Sequence, residues 1–261
     1  MDDRETKPSP EEQPPALSVI IPTFNEAPVI HQTLDTVLSL RAPVEVIVVD
    51  GGSIDGTVEI VRRRGVRVIT SERGRGAQMH AGAHAACGDA LWFLHADTQP
   101  CPESAERIIA ALRDPKVVGG NFNIRFDGTR RAARFLTWLY PQLRKLGLAY
   151  GDSAIFVRRD AYEQIGGFQP FPIFEDLDLV RRLRRRGRIA HLPAFVTTSS
   201  RRFEDRSFTI TFGRWAFLQM LYWLGVHPRT LNRLYAPIRG AGRKSENGDG
   251  STGVCGQARS G

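Results

Sequence analysis

Val44-Glu45-Val46-Ile47-Val48-Val49-Asp50-Gly51-Gly52-Ser53-Ile54-Asp55-Gly56-Thr57 is an apolar run that stops abruptly at a carboxylate and a glycine-rich turn. Five of the six residues before Asp50 are apolar and mostly Val or Ile, the pattern of a strand covered on both faces in a parallel sheet. Ligands of open α/β sheets bind beyond the carboxyl ends of such strands, so Asp50 is expected to face a ligand. Asp55, ahead of Gly56-Thr57 and a helix, suits a cap and a functional role equally.

A second apolar strand, Leu17-Ser18-Val19-Ile20-Ile21-Pro22-Thr23-Phe24-Asn25-Glu26, also ends in polar groups. Pro22 cannot donate a ladder hydrogen bond, so the strand should end there. From Ala27 to Leu40, Val29, Ile30, Leu34, Val37 and Leu38 form a helical apolar stripe leading to the Val44 strand. A right-handed βαβ unit then places Thr23, Asn25, Glu26 and Asp50 along one sheet edge.

The alternation continues through a helix to Arg64, a strand at Val66 to Thr70, a helix from Gly76 to Ala86 and a strand Ala90 to His95. It predicts an α/β fold with a mostly parallel sheet flanked by helices. Gly74-Arg75-Gly76-Ala77-Gln78-Met79 falls short of a dinucleotide fingerprint. A glycine-rich turn opening a helix still offers backbone N–H groups to phosphate, with Arg75 or Arg73 as a fork. At the end of the next strand, His95 and Asp97 stand at i and i+2, projecting from an extended segment toward one side, as a divalent cation bridging two phosphates requires. Val117 to Phe126 alternates and reads as a strand, antiparallel or at the sheet edge. A helical stretch around Phe135 to Leu148 and a loop-to-strand segment at Gly151 to Arg159 follow. Glu175, Asp176 and Asp178 then open a helix. Three carboxylates exceed what a cap requires, so one of them is a candidate general base, with Glu175 and Asp176 not ranked.

With 261 residues and 41% hydrophobic content, the chain suits one folded domain with appendages. Residues 1–15 and 240–261 are low in complexity and expected to be disordered; 16–200 should form the catalytic domain and 201–239 a C-terminal helical segment. The polar, proline-rich start is unlike a signal peptide. Three cysteines without metal-ligand spacing suit a reducing compartment, hence the cytoplasm. A net charge of +8, concentrated at Arg181 to Arg188 and at Arg130, Arg131 and Arg134, suits anionic partners.

Taken in order, these motifs resemble the family-2 glycosyltransferases of the GT-A fold, over about Ala16 to Leu192. The resemblance implies an inverting transfer of sugar from a nucleotide-diphosphate donor to an acceptor hydroxyl. Pro22, Thr23 and Glu26 would line the base and ribose site, Asp50 would hydrogen-bond the base, and Ser53 would belong to the same pocket. Arg75 would be the basic residue of the glycine-basic-glycine turn near the donor. His95-Ala96-Asp97 sits where the family carries an Asp-x-Asp motif, with histidine replacing the first carboxylate. Asp97 and His95 would therefore bind Mn2+ or Mg2+. Asp176 would be the catalytic base and Glu175 its acceptor-side neighbour, while His80, where relatives often carry asparagine, has no assigned role. Arg214-Trp215 is only a fragment of the processive synthases' Gln-x-x-Arg-Trp signature, which argues against polymer synthesis.

Phe208 to Val226 is apolar but interrupted by Arg214 and Gln219. A span needs roughly 20 apolar residues. An interfacial helix on an anionic face of the cell membrane and a helix packed on the domain are both favoured over a span. Two other functions compete. A sugar nucleotidyltransferase would carry a lysine-containing glycine loop where this chain has Pro22-Thr23-Phe24-Asn25-Glu26. A nucleic-acid or scaffold protein would need its basic residues gathered on one surface, whereas these arginines are spread over several helices.

Overall fold

The computed structural model describes residues 16–128, 134–139, 142, 154–199 and 208–231. Strand β1 (Leu17–Thr23) is buried at every position, because it lies between β2 (Glu45–Asp50) and β4 (Ala90–Phe93), parallel to both. β3 (Arg67–Thr70) adds to the far side of β2, again parallel. Helices α1 (Ala27–Leu38), α2 (Thr57–Arg63) and α3 (Arg75–Ala85) fill the connections, as the alternation requires.

The second half comprises β5 (Thr98–Pro100), α4 (Ser104–Ala111), β6 (Val117–Phe126), β7 (Phe156–Arg158), α5 (Arg159–Gln164), α6 (Glu175–Leu183), β8 (Arg188–Thr198) and α7 (Phe208–Trp223). All eight strands form one sheet in the order β3-β2-β1-β4-β7-β6-β8-β5. β7 is antiparallel to β4 and β6, β8 is parallel to β6, and β5 is antiparallel to β8, so only β5 and β7 oppose the other six. The mostly parallel sheet is therefore observed. β6 has the expected antiparallel neighbour but is not an edge strand, because β8 covers its other side along nearly its whole length.

Period-two alternation sends the side chains of β1 into two apolar layers. On one face Leu17, Val19 and Ile21 meet Ile30, Leu34 and Val37 of α1 together with Trp92, Phe122 and Phe156. On the other, Ile20 joins Ile47 and Val49 against Met79 and Ala83 of α3, Tyr162 of α5 and Leu179 and Val180 of α6. Both layers grip the helices whose first turns surround the carboxyl ends of β1 and β2.

Helix α7 turns Trp215, Leu218, Leu221 and Tyr222 onto Ile173, Phe174 and Leu177. Its opposite side leaves Phe217, Met220 and Trp223 exposed, as is Leu224 in the turn that follows. Packing on the domain is thus observed directly. Among the described residues, no helix is long and apolar enough to cross a membrane. The expected tails, Arg130, Arg131, most of Phe135 to Leu148, Gly151 to Ser153 and Cys255 lie outside the described residues.

Candidate active site

The loops after β1 and β2 are laced together by side chains that each take a backbone donor from the other loop. Asn25 N–H donates to Ser53 Oγ at 2.9 Å, and Ile54 N–H donates to Asn25 Oδ1 at 2.9 Å. Glu26 N–H donates to Thr57 Oγ1 at 2.9 Å, and Ala27 N–H to Asp55 Oδ2 at 3.0 Å. Helix α1 begins with no cap hydrogen bond from its own preceding side chain, so Asp55 and Thr57 satisfy its first amides from the neighbouring loop. Cap chemistry accounts for Asp55. Burial pushes its carboxyl up, but hydrogen bonds from Thr57 and Ala27 outweigh this and hold it below the ordinary aspartate value. Such a group stabilises the fold above its unfolded pKa and loses that contribution as pH falls through the folded one. Asp55→Ala should therefore cost about 1 kcal/mol at pH 7. In urea titrations the deficit should shrink when the comparison is repeated in acid.

Asp50, 3% exposed, has both carboxylate oxygens engaged. Oδ2 accepts the backbone N–H groups of Gly52 and Ser53, each at 2.9 Å. Oδ1 accepts from Ser53 Oγ at 2.5 Å and from Thr23 Oγ1 at 3.3 Å. The residue thus shapes the turn it enters. The Thr23 contact is the longest and has an alternative acceptor, Val49 O at 3.4 Å, so a ligand N–H at Oδ1 would displace that hydroxyl first.

Gln78, buried in α3, was not singled out from the sequence. Its Nε2 donates to Thr23 O at 2.7 Å and Val49 O at 2.8 Å, fixing α3 to the ends of β1 and β2. The only local signal is its place one turn after Gly74-Arg75-Gly76. Arg73 lies over the Phe24 ring, with its guanidinium carbon 3.7 Å from the centroid, and closes the same rim.

Arg75 Nε donates to Glu175 Oε1 at 2.6 Å across a sequence separation of 100. Glu175 is 2% exposed, and its Oε2 has no hydrogen-bond partner among the described residues. A Cβ on Gly76 would lie 3.3 Å from Glu175 Cβ, so a residue without one lets the first turns of α3 and α6 meet closely. The Gly74-Arg75-Gly76 turn and the carboxylates that open α6 therefore meet at one place.

Asp176, 7% exposed, follows Glu175 in the first turn of α6, with Leu177 N–H donating to its Oδ1 at 2.8 Å. Phe174, immediately before the carboxylate pair, has φ +61°, a left-handed conformation uncommon for an aromatic residue and found where surrounding packing enforces it. Here the Tyr222 ring of α7 packs 5.1 Å from Phe174, centroid to centroid. Burial, then the Asp178 carboxylate, push the Tyr222 hydroxyl above its ordinary value against a hydrogen bond from Arg181, and Asp176 adds a smaller push. Helix α7 thus reaches the carboxylates.

His95 and Asp97 lie at the end of β4, but not on an extended segment as expected. Thr98 N–H donates to His95 O at 3.1 Å, closing a turn at Ala96-Asp97. Thr33 Oγ1 of α1 anchors that turn through Ala96 O at 2.7 Å. The reason is connectivity: β5 starts at Thr98 and pairs with β8, so the chain must leave the β4 direction at once. His95 is buried and Asp97 half-buried. An imidazole and a carboxylate are donor types that a divalent cation accepts alongside oxygens of a bound ligand. Among the described residues, no group of three or more His, Cys, Asp or Glu could hold a metal by itself.

Pro22 and Thr23 are buried, and Glu26 and Ser53 half-buried, on the β1 and β2 loops beside Asp50. His80 stands one helical turn past Gly76 on α3, with its Nδ1 2.9 Å from Tyr162 Oη.

The sequence model of glycosyl transferase family 2 matches residues 18–166. Glycosyltransferase AglE of Haloferax volcanii is 33% identical over 175 residues, 60% of this chain and 56% of that protein. The undecaprenyl-phosphate 4-deoxy-4-formamido-L-arabinose transferase of Edwardsiella ictaluri is 32% identical over 157 residues, 54% of this chain and 48% of its own. The chain spans about half the length of these curated relatives. The solved structure of mannosyltransferase PcManGT from Pyrobaculum calidifontis, in complex with GDP-Man and Mn2+, matches with a TM-score of 0.61 at 24% identity, covering 80% of this chain and 62% of that one. S. aureus TarS 1-349 in complex with UDP-GlcNAc matches with a TM-score of 0.57 at 19% identity, covering 70% and 58%. The fold is that of the GT-A glycosyltransferases.

Proposed function

Since the chain belongs to glycosyl transferase family 2, we propose that it moves a sugar from a nucleoside-diphosphate donor to an acceptor hydroxyl in a single inverting displacement. The observation that carries this reading is the Arg75–Glu175 contact, which joins a phosphate-suited turn to a carboxylate pair. In the proposed assignment Pro22, Thr23, Glu26, Asp50 and Ser53 line the nucleoside pocket, and Arg75, held in place by Glu175, directs its guanidinium toward the diphosphate. Asp176 accepts the acceptor's proton as the hydroxyl attacks. Glu175 is less suited to that task because its Oε1 already faces a guanidinium. His95 and Asp97 would hold a divalent cation, Mn2+ or Mg2+, which when bound would supply positive charge to the departing diphosphate without proton transfer.

The acceptor proposed is lipid-linked. The exposed Phe217, Met220 and Trp223 of α7, with Leu224 just after it, are flanked in the chain by exposed Arg214 and Arg229, a combination suited to an anionic membrane surface. Phosphatidylglycerol vesicles should co-sediment the protein, and a Phe217→Ser/Trp223→Ser double variant should lose most of that binding. Retention of the double variant on vesicles would remove the lipid-facing role. The proposed reaction itself is tested by donor hydrolysis and transfer across UDP-, GDP- and dTDP-sugars with manganese, magnesium or a chelator. Turnover of one nucleotide class, abolished by the chelator, is expected; a site that neither binds nor turns over any of them refutes the reading.

A further inference from the structure

On α3, beyond the Gly74-Arg75-Gly76 turn, His80 and His84 stand one helical turn apart with their Nε2 atoms 3.2 Å apart. Their rings meet edge to face at a centroid distance of 4.5 Å, so the two nitrogens converge instead of stacking. A separation of 3.2 Å matches neighbouring positions around one transition-metal ion, given metal–nitrogen bonds of about 2.0–2.1 Å. The other nitrogen of His80 is already placed. Its Nδ1 lies 2.9 Å from Tyr162 Oη, and a ligating histidine characteristically gives its second N–H to an oxygen that fixes tautomer and ring orientation. Tyr162 is held in turn by Phe168 N–H, which donates to the same oxygen at 3.2 Å. Gly167 has φ +61°, and a Cβ there would come within 2.7 Å of His80 Nδ1 and of the Tyr162 ring. The backbone therefore closes over the far side of His80, while His84 stays exposed.

We propose that His80 and His84 form a two-imidazole site for a borderline divalent transition ion of the copper, nickel or zinc class, with Tyr162 as its positioning partner. Paired imidazoles select these ions over magnesium and calcium, and affinity should follow the order Cu2+ above Ni2+ and Zn2+. Water or a solution anion would complete the coordination. An ion there would staple one turn of α3, the helix that carries Arg75 and Gln78, while His80 keeps its contact to Tyr162 of α5.

The test is a titration of the tagless full chain with CuCl2 in a non-coordinating buffer, followed by calorimetry and pulsed electron paramagnetic resonance. The tightest-bound equivalent should show a signature of two imidazole nitrogens, and saturating Cu2+ should raise Tm. His84→Ala alters an exposed side chain and should weaken this binding at least about 10-fold, and Tyr162→Phe by about 10-fold. Asp97→Ala should leave it unchanged, which separates this site from the proposed donor-side cation and lets either fail alone. Binding undiminished in His84→Ala, or a single-imidazole signature in the intact chain, would overturn the proposal.

Discussion

Asp176→Asn should lower the rate of sugar transfer by about 10²- to 10⁴-fold, the loss expected when a positioned general base is removed. The substitution is nearly isosteric, and an asparagine carbonyl can still accept Leu177 N–H, which now reaches Oδ1 at 2.8 Å. Stability should therefore change little. Donor affinity should also hold, because the residue faces the acceptor in the proposed site. Glu175→Gln supplies the contrast. It removes the charge that Arg75 meets at 2.6 Å, so its effect should appear in the donor KM more than in kcat. Single-turnover transfer assays on both variants separate the roles, and an Asp176→Asn enzyme within threefold of the parent rate would transfer the base assignment elsewhere.

The resemblance drawn from sequence paired Glu175 with Asp176, but the residues alone could not rank them as bases. Both sit at the start of one helix, so local spacing treats them alike. What distinguishes them is a residue 100 positions earlier, Arg75, and such a contact depends on the whole sheet order. The same reason hid Gln78. A buried glutamine on a weakly amphipathic helix has no pattern of its own, yet it bridges the carbonyls of Thr23 and Val49. By contrast, β1, β2 and the intervening helix were legible, since apolar period and turn residues are local properties. The turn at Ala96-Asp97 was not, because it follows from β5 crossing to β8. His80 gained its place only when α5 brought Tyr162 beside it.

Asp50→Ala is the substitution expected to damage the fold most while also touching the proposed nucleoside pocket. It strips acceptors from Gly52 N–H, Ser53 N–H, Ser53 Oγ and Thr23 Oγ1. Buried or half-buried donors left without partners cost about 1–3 kcal/mol each, less where water can reach. Gly52 is exposed and Ser53 only half-buried, so part of the loss is recovered by hydration, and a total on the order of 3 kcal/mol is expected. The damage should spread, because Ser53 Oγ also holds Asn25 N–H and thereby the start of α1. Asp50→Asn separates structure from recognition. Its carbonyl can keep the two backbone N–H groups while its amide donates to the hydroxyls of Ser53 and Thr23, so the turn should survive at a cost of about 1 kcal/mol. An amide N–H at that position cannot accept the N–H of a base. If the proposed contact at Oδ1 is made, Asp50→Asn should weaken nucleoside-diphosphate binding by about 10-fold or more, as loss of a hydrogen bond to a charged acceptor implies. Calorimetric binding within threefold of the parent, together with an unstable Asp50→Ala, would assign Asp50 wholly to the architecture of the turn and leave base recognition to the backbone around Pro22 and Thr23.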